Sequence, residues 1–281
     1  MQLLRKVYYH LRPGQRRVAR RLFYFPVDVM DNLLNKRPPL VPAKGNIFIG
    51  QGDYIQMGDA ILKNLVDTCE LQPHQRILDV GCGIGRLARP LAGYLNQDGS
   101  YVGFDIVKEG INWCRKKYHH YPNFVFDYYP LQNDLYNLST DEQAASFRFP
   151  YANNDFDLVV LTSVFTHMQA AEVNNYLQEI SRVLKPGGRC FVTFFLITDE
   201  SEAYINQPGN SAFPYCYGDY YLHNPRVTNA NIAYRYSAVM EMIEHAGLSV
   251  EAFHEGWWAG RPEEACMNYQ DVLVLLRPLG E

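Results

Sequence analysis

From residue 76 onward the chain alternates short runs that are apolar at nearly every position with stretches that carry apolar residues at helical spacing. The runs are Arg76–Val80, Tyr101–Phe104, Phe124–Phe126, Asp157–Leu161 and Cys190–Phe195. A strand that is apolar on both faces must be covered on both, and regular alternation with helices calls for right-handed crossovers between parallel strands. The expected body is a doubly wound α/β sheet, with connecting helices at 86–95, 108–119, 170–185 and 237–246. Two further strands, at 248–255 and 272–277, follow the last helix. A Gly/Pro-rich excursion holding Trp257, Trp258 and Pro262 joins them, and such a hairpin adds an antiparallel strand. With 281 residues, 47% hydrophobic and 20% charged, the chain suits one elaborated domain, and its composition speaks against disorder, collagen and coiled coil.

Charge divides the chain unevenly. The net charge is −4, yet residues 1–37 hold nine Lys/Arg against Asp28 and Asp31. Residues 1–46 therefore read as a basic helical arm, broken at Pro13-Gly14 and at Pro26, ahead of a domain spanning 47–281. Arg5, Lys6, Arg12, Arg16, Arg17, Arg20 and Arg21 interleave with Val18, Leu22, Phe23 and Phe25. Such a segment either lies on an anionic membrane or packs over the mouth of a site. The six cysteines show no CxxC spacing and read as reduced thiols. No stretch reaches the roughly 20 apolar residues that cross a bilayer, and the start lacks a secretory signal pattern, so a cytoplasmic location is expected, peripheral to a membrane at most.

In an open parallel sheet, ligands bind beyond the carboxyl ends of the strands. The first such end reads Leu78-Asp79-Val80-Gly81-Cys82-Gly83-Ile84-Gly85-Arg86. Its glycines permit a tight bend and close approach of a ligand to the backbone, and the next strand ends in Asp105, placed to receive a ribose diol. The spacing GxGxG is tighter than the GxGxxG of dinucleotide sites, and Asp79 just before it repels a pyrophosphate but favours an ammonium or sulfonium group.

Asp79–Gly85, Gly103-Phe-Asp-Ile106, Asp155-Phe-Asp-Leu-Val159 and Arg182-Val-Leu-Lys-Pro-Gly-Gly188 together resemble the successive motifs of the class I S-adenosylmethionine-dependent methyltransferases. The resemblance covers about residues 76–196 and implies a seven-stranded sheet in the order 3-2-1-4-5-7-6 with strand seven antiparallel. It implies S-adenosylmethionine as cofactor, with Gly81, Cys82, Gly83 and Gly85 along its methionine half and Asp79 nearby. Asp105 falls on its ribose and Ile106 on its adenine face. At the third strand end, Asp127, Leu131, Gln132 and Asp134 compete for the adenine amino group. Ile49-Gly-Gln-Gly-Asp-Tyr54 resembles the segment over the sulfonium, where Tyr54 either caps the cation or packs its own helix. The fourth strand end, Leu161-Thr-Ser-Val-Phe-Thr-His-Met168, brings Ser163 and His167 beside the methyl group.

His167 has the ordinary pKa of a general base, and this position also takes histidines with a packing role. His223 and His254 are further candidates. Residues 197–235 form an insertion far longer than an ordinary connection, rich in Tyr204, Phe213, Tyr215, Tyr217, Tyr220 and Tyr221. It reads as a lid over an apolar or ring-bearing acceptor, or as aromatics packing the lid onto the body. No metal-ligand spacing is present and the DPPY-type tetrapeptide of base-methylating enzymes is missing, so metal-free transfer and no nucleic-acid partner are expected. The pattern is similar to bacterial, especially cyanobacterial, tailoring enzymes, which implies O-methylation of a polyketide, peptide or sugar hydroxyl. The rivals are a peripheral-membrane lipid methyltransferase, an N-methyltransferase and a binding protein without catalysis.

Overall fold

The structure, a computed structural model, describes residues 11, 13–50, 52–207 and 212–280. Arg5, Lys6 and Arg12 of the basic arm lie outside the described residues. Helix α1 (Pro13–Leu33) is followed by α2 (Tyr54–Cys69), β1 (Arg76–Val80), α3 (Ala88–Tyr94), β2 (Ser100–Asp105), α4 (Lys108–Lys117), β3 (Phe124–Tyr128), β4 (Phe156–Leu161), α5 (Ala170–Val183) and β5 (Leu184–Phe194). An insertion then holds β6 (Leu196–Ile197), α6 (Asp199–Ile205), β7 (Tyr215–Cys216), β8 (Tyr220–Leu222) and β9 (Ile232–Arg235). The chain ends with α7 (Tyr236–His245), β10 (Ser249–His254) and β11 (Asp271–Leu276).

Seven strands form the main sheet in the order β10-β11-β5-β4-β1-β2-β3. β11 runs antiparallel to both its neighbours, while β1 pairs in parallel with β2 and β4. This is the expected doubly wound order, with β10 and β11 as strands six and seven. It follows from strand composition: along β1, Leu78 and Val80 enter one apolar layer with Phe104, Phe165 and Leu177, and Ile77 enters the opposite layer with Leu65, Leu91 and Ile111. The sheet order reverses between β1 and β4, so the carboxyl ends of β1, β2 and β4 open onto one crevice.

Three features differ from expectation. β5 begins at Leu184 and not at Cys190, because Leu184 pairs with Phe156 and Arg189 with Leu158, so the Lys185–Gly188 run is absorbed as an irregularity. α1 continues through Pro26. Proline removes the donor to the Leu22 carbonyl, but Leu22 is exposed, so water can satisfy that oxygen. The insertion also builds a second sheet, β6-β9-β8-β7, whose own core joins Phe195, Phe213, Tyr221 and Trp258. Phe213 and Tyr221 are therefore packing residues, whereas Tyr215 and Tyr217 are exposed.

One side of α1 is fastened to the body. Arg16 donates to the Leu135 carbonyl (3.1 Å), Arg17 pairs with Glu109 (3.3 Å), and Arg21 donates to Asn46 Oδ1 (3.0 Å). The Asp28 carboxylate accepts from Lys44 N (2.7 Å) and Gly45 N (2.9 Å). The opposite stripe, Val18, Leu22, Phe25, Val29 and Leu33, lies at helical spacing and is exposed throughout.

Candidate active site

The bend after β1 is held from behind by β2. Gly81 N (2.8 Å) and Cys82 N (3.0 Å) both donate to the Phe104 carbonyl, and Gly83 N donates to Asp105 Oδ2 (2.7 Å). Gly81 and Gly83 adopt φ of 73° and 61°, the left-handed region that side chains strain to reach. Space is equally decisive. A Cβ on Gly81 would stand 2.5 Å from Val164 Cγ2, and one on Gly83 would stand 2.6 Å from Ile49 Cγ2. The run after β4 and the segment before α2 are thus the two walls that close on the bend.

Two carboxylates sit behind these walls. Asp79 is 3% exposed and accepts from the Tyr101 hydroxyl at 2.7 Å. Burial pushes its pKa up to about 7, against the Tyr101 hydrogen bond and with help from the nearby Asp105. Asp105, 7% exposed, accepts from Gly83 N and from Val107 N (2.7 Å), and burial raises it to about 6. Among the described residues no Lys or Arg forms an ion pair with either acid. Each oxygen of Asp105 keeps a second lone pair for another donor. Two buried carboxylates without a cation partner among the described residues, beside a glycine bend, suit a ligand that brings hydrogen-bond donors or positive charge.

The other expected cofactor residues are distributed around this centre. Tyr54 begins α2, is 4% exposed and donates its hydroxyl to the Ile84 carbonyl (2.9 Å), so its ring is tied to the bend itself. Asp53 caps that helix through Ile55 N and Gln56 N. Cys82 contributes main chain, since its side chain packs under Gly103 in the core. Ile106 is half-buried against the core layer that contains Phe104. Leu131 is buried in that same layer. Gln132 spends its side-chain oxygen on Gln143. Asp127 meets Tyr151 and Arg115, and Asp134 accepts from Thr228 N (2.7 Å) and Asn229 N (3.0 Å), so both acids at the third strand end have partners within the chain. Ser163, at φ 58°, turns its hydroxyl to Gln270 Oε1 (2.9 Å), while Val164 takes the place beside Gly81.

His167 lies one short turn beyond Val164. Its Nδ1 is 2.8 Å from the Asn229 carbonyl, which fixes Nδ1 as the proton-bearing nitrogen and leaves Nε2 with a free lone pair. Burial lowers its pKa, opposed by hydrogen bonds to the Asn229 and Ala230 main chain and by the charge of Asp134, which on balance favours the neutral ring. Tyr136 meets it edge to face with centroids 5.7 Å apart. His223 instead holds the Ala212 carbonyl inside the insertion, and His254 ends β10. Sequence alone quoted Ile49 and Val164 within longer runs without giving either a role of its own, and it did not assign Tyr136 or Asn229 to the site. They are ordinary residues made relevant only by long-range contacts.

A family model described as "Methyltransferase domain" matches residues 78–192. The matched family implies S-adenosylmethionine as the cofactor. Among curated proteins, the chain is 31% identical over 136 residues to "Ubiquinone/menaquinone biosynthesis C-methyltransferase UbiE" of Wigglesworthia glossinidia brevipalpis, covering 48% of this chain and 49% of that one. It is 32% identical over 130 residues to "Fatty-acid O-methyltransferase" of Mycolicibacterium smegmatis, covering 46% and 39%. The match thus spans half or less of the length of these relatives. Among solved structures, the PH0226 protein of Pyrococcus horikoshii superposes with a TM-score of 0.55 at 17% identity, covering 83% of this chain and 94% of that one, which shows a shared fold.

Proposed function

We propose that this chain is a class I S-adenosylmethionine-dependent methyltransferase that acts on a small molecule, with a hydroxyl oxygen as acceptor on a polyketide, peptide or sugar, as in bacterial tailoring enzymes. One observation carries the reading: Asp79 and Asp105 are buried around a left-handed glycine bend with no cationic partner among the described residues. The bound cofactor supplies an electrophilic methyl group on a sulfonium. Asp105 receives the ribose hydroxyls and Asp79 adds negative potential near the cationic end. Gly81, Gly83 and Gly85 lie along the methionine half, Tyr54 closes the bend from the α2 side, and Ile106 packs on the adenine. Displacement at a methyl group needs alignment and dryness more than covalent help, and Val164, Ile49 and Tyr54 exclude water from the bend. His167, neutral and with Nε2 unburdened, takes the proton of the acceptor hydroxyl. The insertion 197–235 covers the acceptor.

Calorimetry with S-adenosylhomocysteine tests the reading. The wild type binds, and Asp105→Ala weakens binding by about 1.5 to 3 kcal/mol, the range for hydrogen bonds to a charged group. No heat from well-folded wild type sinks the proposal, and an unchanged affinity removes Asp105 from the ribose.

The exposed stripe of α1 favours a second reading, a lipid acceptor met at a membrane surface. Val18, Leu22, Phe25, Val29 and Leu33 present an apolar face beside the exposed cations Arg21 and Lys36, the pattern of a helix lying in an anionic interface. The fatty-acid methylation and the ubiquinone/menaquinone biosynthesis named for the two relatives are compatible with it. No described helix is long and apolar enough to cross a membrane.

A further inference from the structure

Of the two buried acids at the bend, Asp79 is the one the fold leaves less satisfied. Asp105 accepts two main-chain N–H groups, whereas among the described residues Asp79 has one hydrogen-bond partner, the Tyr101 hydroxyl, at 2.7 Å from Oδ2. The groups that face it come from every element packed around it. From β2 come Tyr101 and, at the strand end, Asp105; the bend brings Cys82 and α4 brings Cys114. On the other flank β4 offers Val160 in register with Asp79, and the Tyr54 hydroxyl at the start of α2 is spent on the Ile84 carbonyl. Burial pushes both thiols and the Tyr101 phenol well above their ordinary ranges, so all three are neutral at pH 7. Asp79 therefore faces a second carboxylate and no cation. A carboxyl group so placed is costly when charged and cheap when protonated. Burial lifts its pKa to about 7, with Tyr101 opposing and Asp105 adding to the rise. A cation that arrives beside it reverses this balance, because opposite charge favours the ionised form.

We propose that Asp79 exchanges its proton for the positive charge of the ligand, so that each cationic nucleoside taken up at the bend expels one proton, and the Asp79–Tyr101 pair selects charged ligands over neutral ones. The proton passes from the Asp79 carboxyl to solvent as the cation enters and returns when the cation leaves, so charge within the site stays balanced in both states. The inference rests on the methyltransferase reading for the identity of the ligand, whose positive charge has two sources: the ammonium of its amino-acid end or the sulfonium.

The test uses the full-length chain and calorimetry in phosphate and in imidazole, two buffers of unlike ionisation heat, so that the protons released on binding can be counted. S-adenosylmethionine carries both an ammonium and a sulfonium, S-adenosylhomocysteine only the ammonium, and 5′-methylthioadenosine neither, while all three keep the ribose assigned to Asp105. At pH 6 a cationic ligand expels about one proton more than methylthioadenosine, and by pH 8 that excess is nearly gone while its affinity has risen by up to about 10-fold. An excess with both cationic ligands assigns the charge to the ammonium, and an excess with S-adenosylmethionine alone assigns it to the sulfonium. Asp79→Asn abolishes the excess and the pH dependence that goes with it. Tyr101→Phe keeps the excess but moves its midpoint upward by about half a pH unit or more, because it removes a hydrogen bond that favours the charged carboxylate. A merely structural Tyr101 leaves that midpoint in place. Thermal melting confirms that each variant is folded, and the Tyr101→Phe shift decides alone if Asp79→Asn is not. If methylthioadenosine binds too weakly to measure, the difference between wild type and Asp79→Asn gives the excess. Cationic nucleosides that bind without an excess proton at pH 6, or an excess that survives in folded Asp79→Asn, overturn the proposal and leave the methyltransferase reading standing. A wild type that binds none of the three at pH 8 brings down that reading and the proposal with it.

Discussion

Asp79 and Asp105 give the protein a pH signature that belongs to individual side chains. Their folded-state pKa values, about 7 and about 6, lie above the ordinary carboxyl range because burial disfavours the charge. The folded chain therefore holds protons that the unfolded chain has released. The stability they contribute is complete below about pH 4 and is lost as pH rises through 6 to 7. Asp79→Asn keeps an acceptor for the Tyr101 hydroxyl but removes the titration. Relative to wild type, the ligand-free variant gains stability between pH 5 and pH 8, on the order of 2 to 4 kcal/mol at most. Urea unfolding at the two pH values measures this, and a constant difference between the proteins would refute it. On the proposed function, the same residue is a carboxylate whose burial cost is offset when a positively charged ligand binds beside it.

At the scale of elements, the loop 228–229 shows how distant segments converge on one ring. Asp134, beyond β3, accepts from Thr228 and Asn229, and the Asn229 carbonyl in turn holds His167 Nδ1. Asp134→Ala frees that loop and with it the tautomer of His167. With the active reading above, kcat falls about 10-fold and the acidic limb of the pH–rate profile moves, since loss of the hydrogen bond lowers the imidazole pKa. His167→Ala falls at least about 100-fold, and full activity in that variant excludes the base. His167 was legible as a candidate base, but the links that join Asp134 to Asn229 and Asn229 to His167 were not legible in the residue order. What could be read was anything set by periodicity: β1, β2, β4 and the helices between them declare themselves because each is apolar on the faces it buries. The glycine bend and Asp105 were legible because a left-handed turn and a strand-end acid have local signatures. The small sheet of the insertion was not, since strands of two to four residues carry no period. Asp134 was legible only as one of the competing acids at the third strand end, because its partners Thr228 and Asn229 are set by the fold.

For the molecule as a whole, the question is which way α1 faces. Its arginines and Asp28 are spent on residues 44–46, 109 and 135–136, and its apolar stripe is turned outward. Near its start the helix also borders a groove of about 820 Å³ shared with Tyr136–Ser139, the segment whose first residue touches His167. On the lipid reading, the chain sediments with phosphatidylglycerol vesicles and not with phosphatidylcholine vesicles, and binding weakens with salt. Leu22→Glu with Phe25→Glu lowers binding about 10-fold or more while the fold stays intact, because both side chains are exposed. Wild type that stays in the supernatant removes that reading, and a dimer dispersed by the same substitutions shows that a second copy covers the stripe. A different consequence follows from the two walls of the bend. Gly81 meets Val164 and Gly83 meets Ile49 with no space for a methyl group between them, and Gly110 is likewise crowded by Phe48 and the Gly83 carbonyl. Across descendants of this chain such positions can drift only in concert, a larger residue on one side being matched by a smaller one opposite. Attempts to reshape the glycine bend one substitution at a time will fail where compensated pairs succeed.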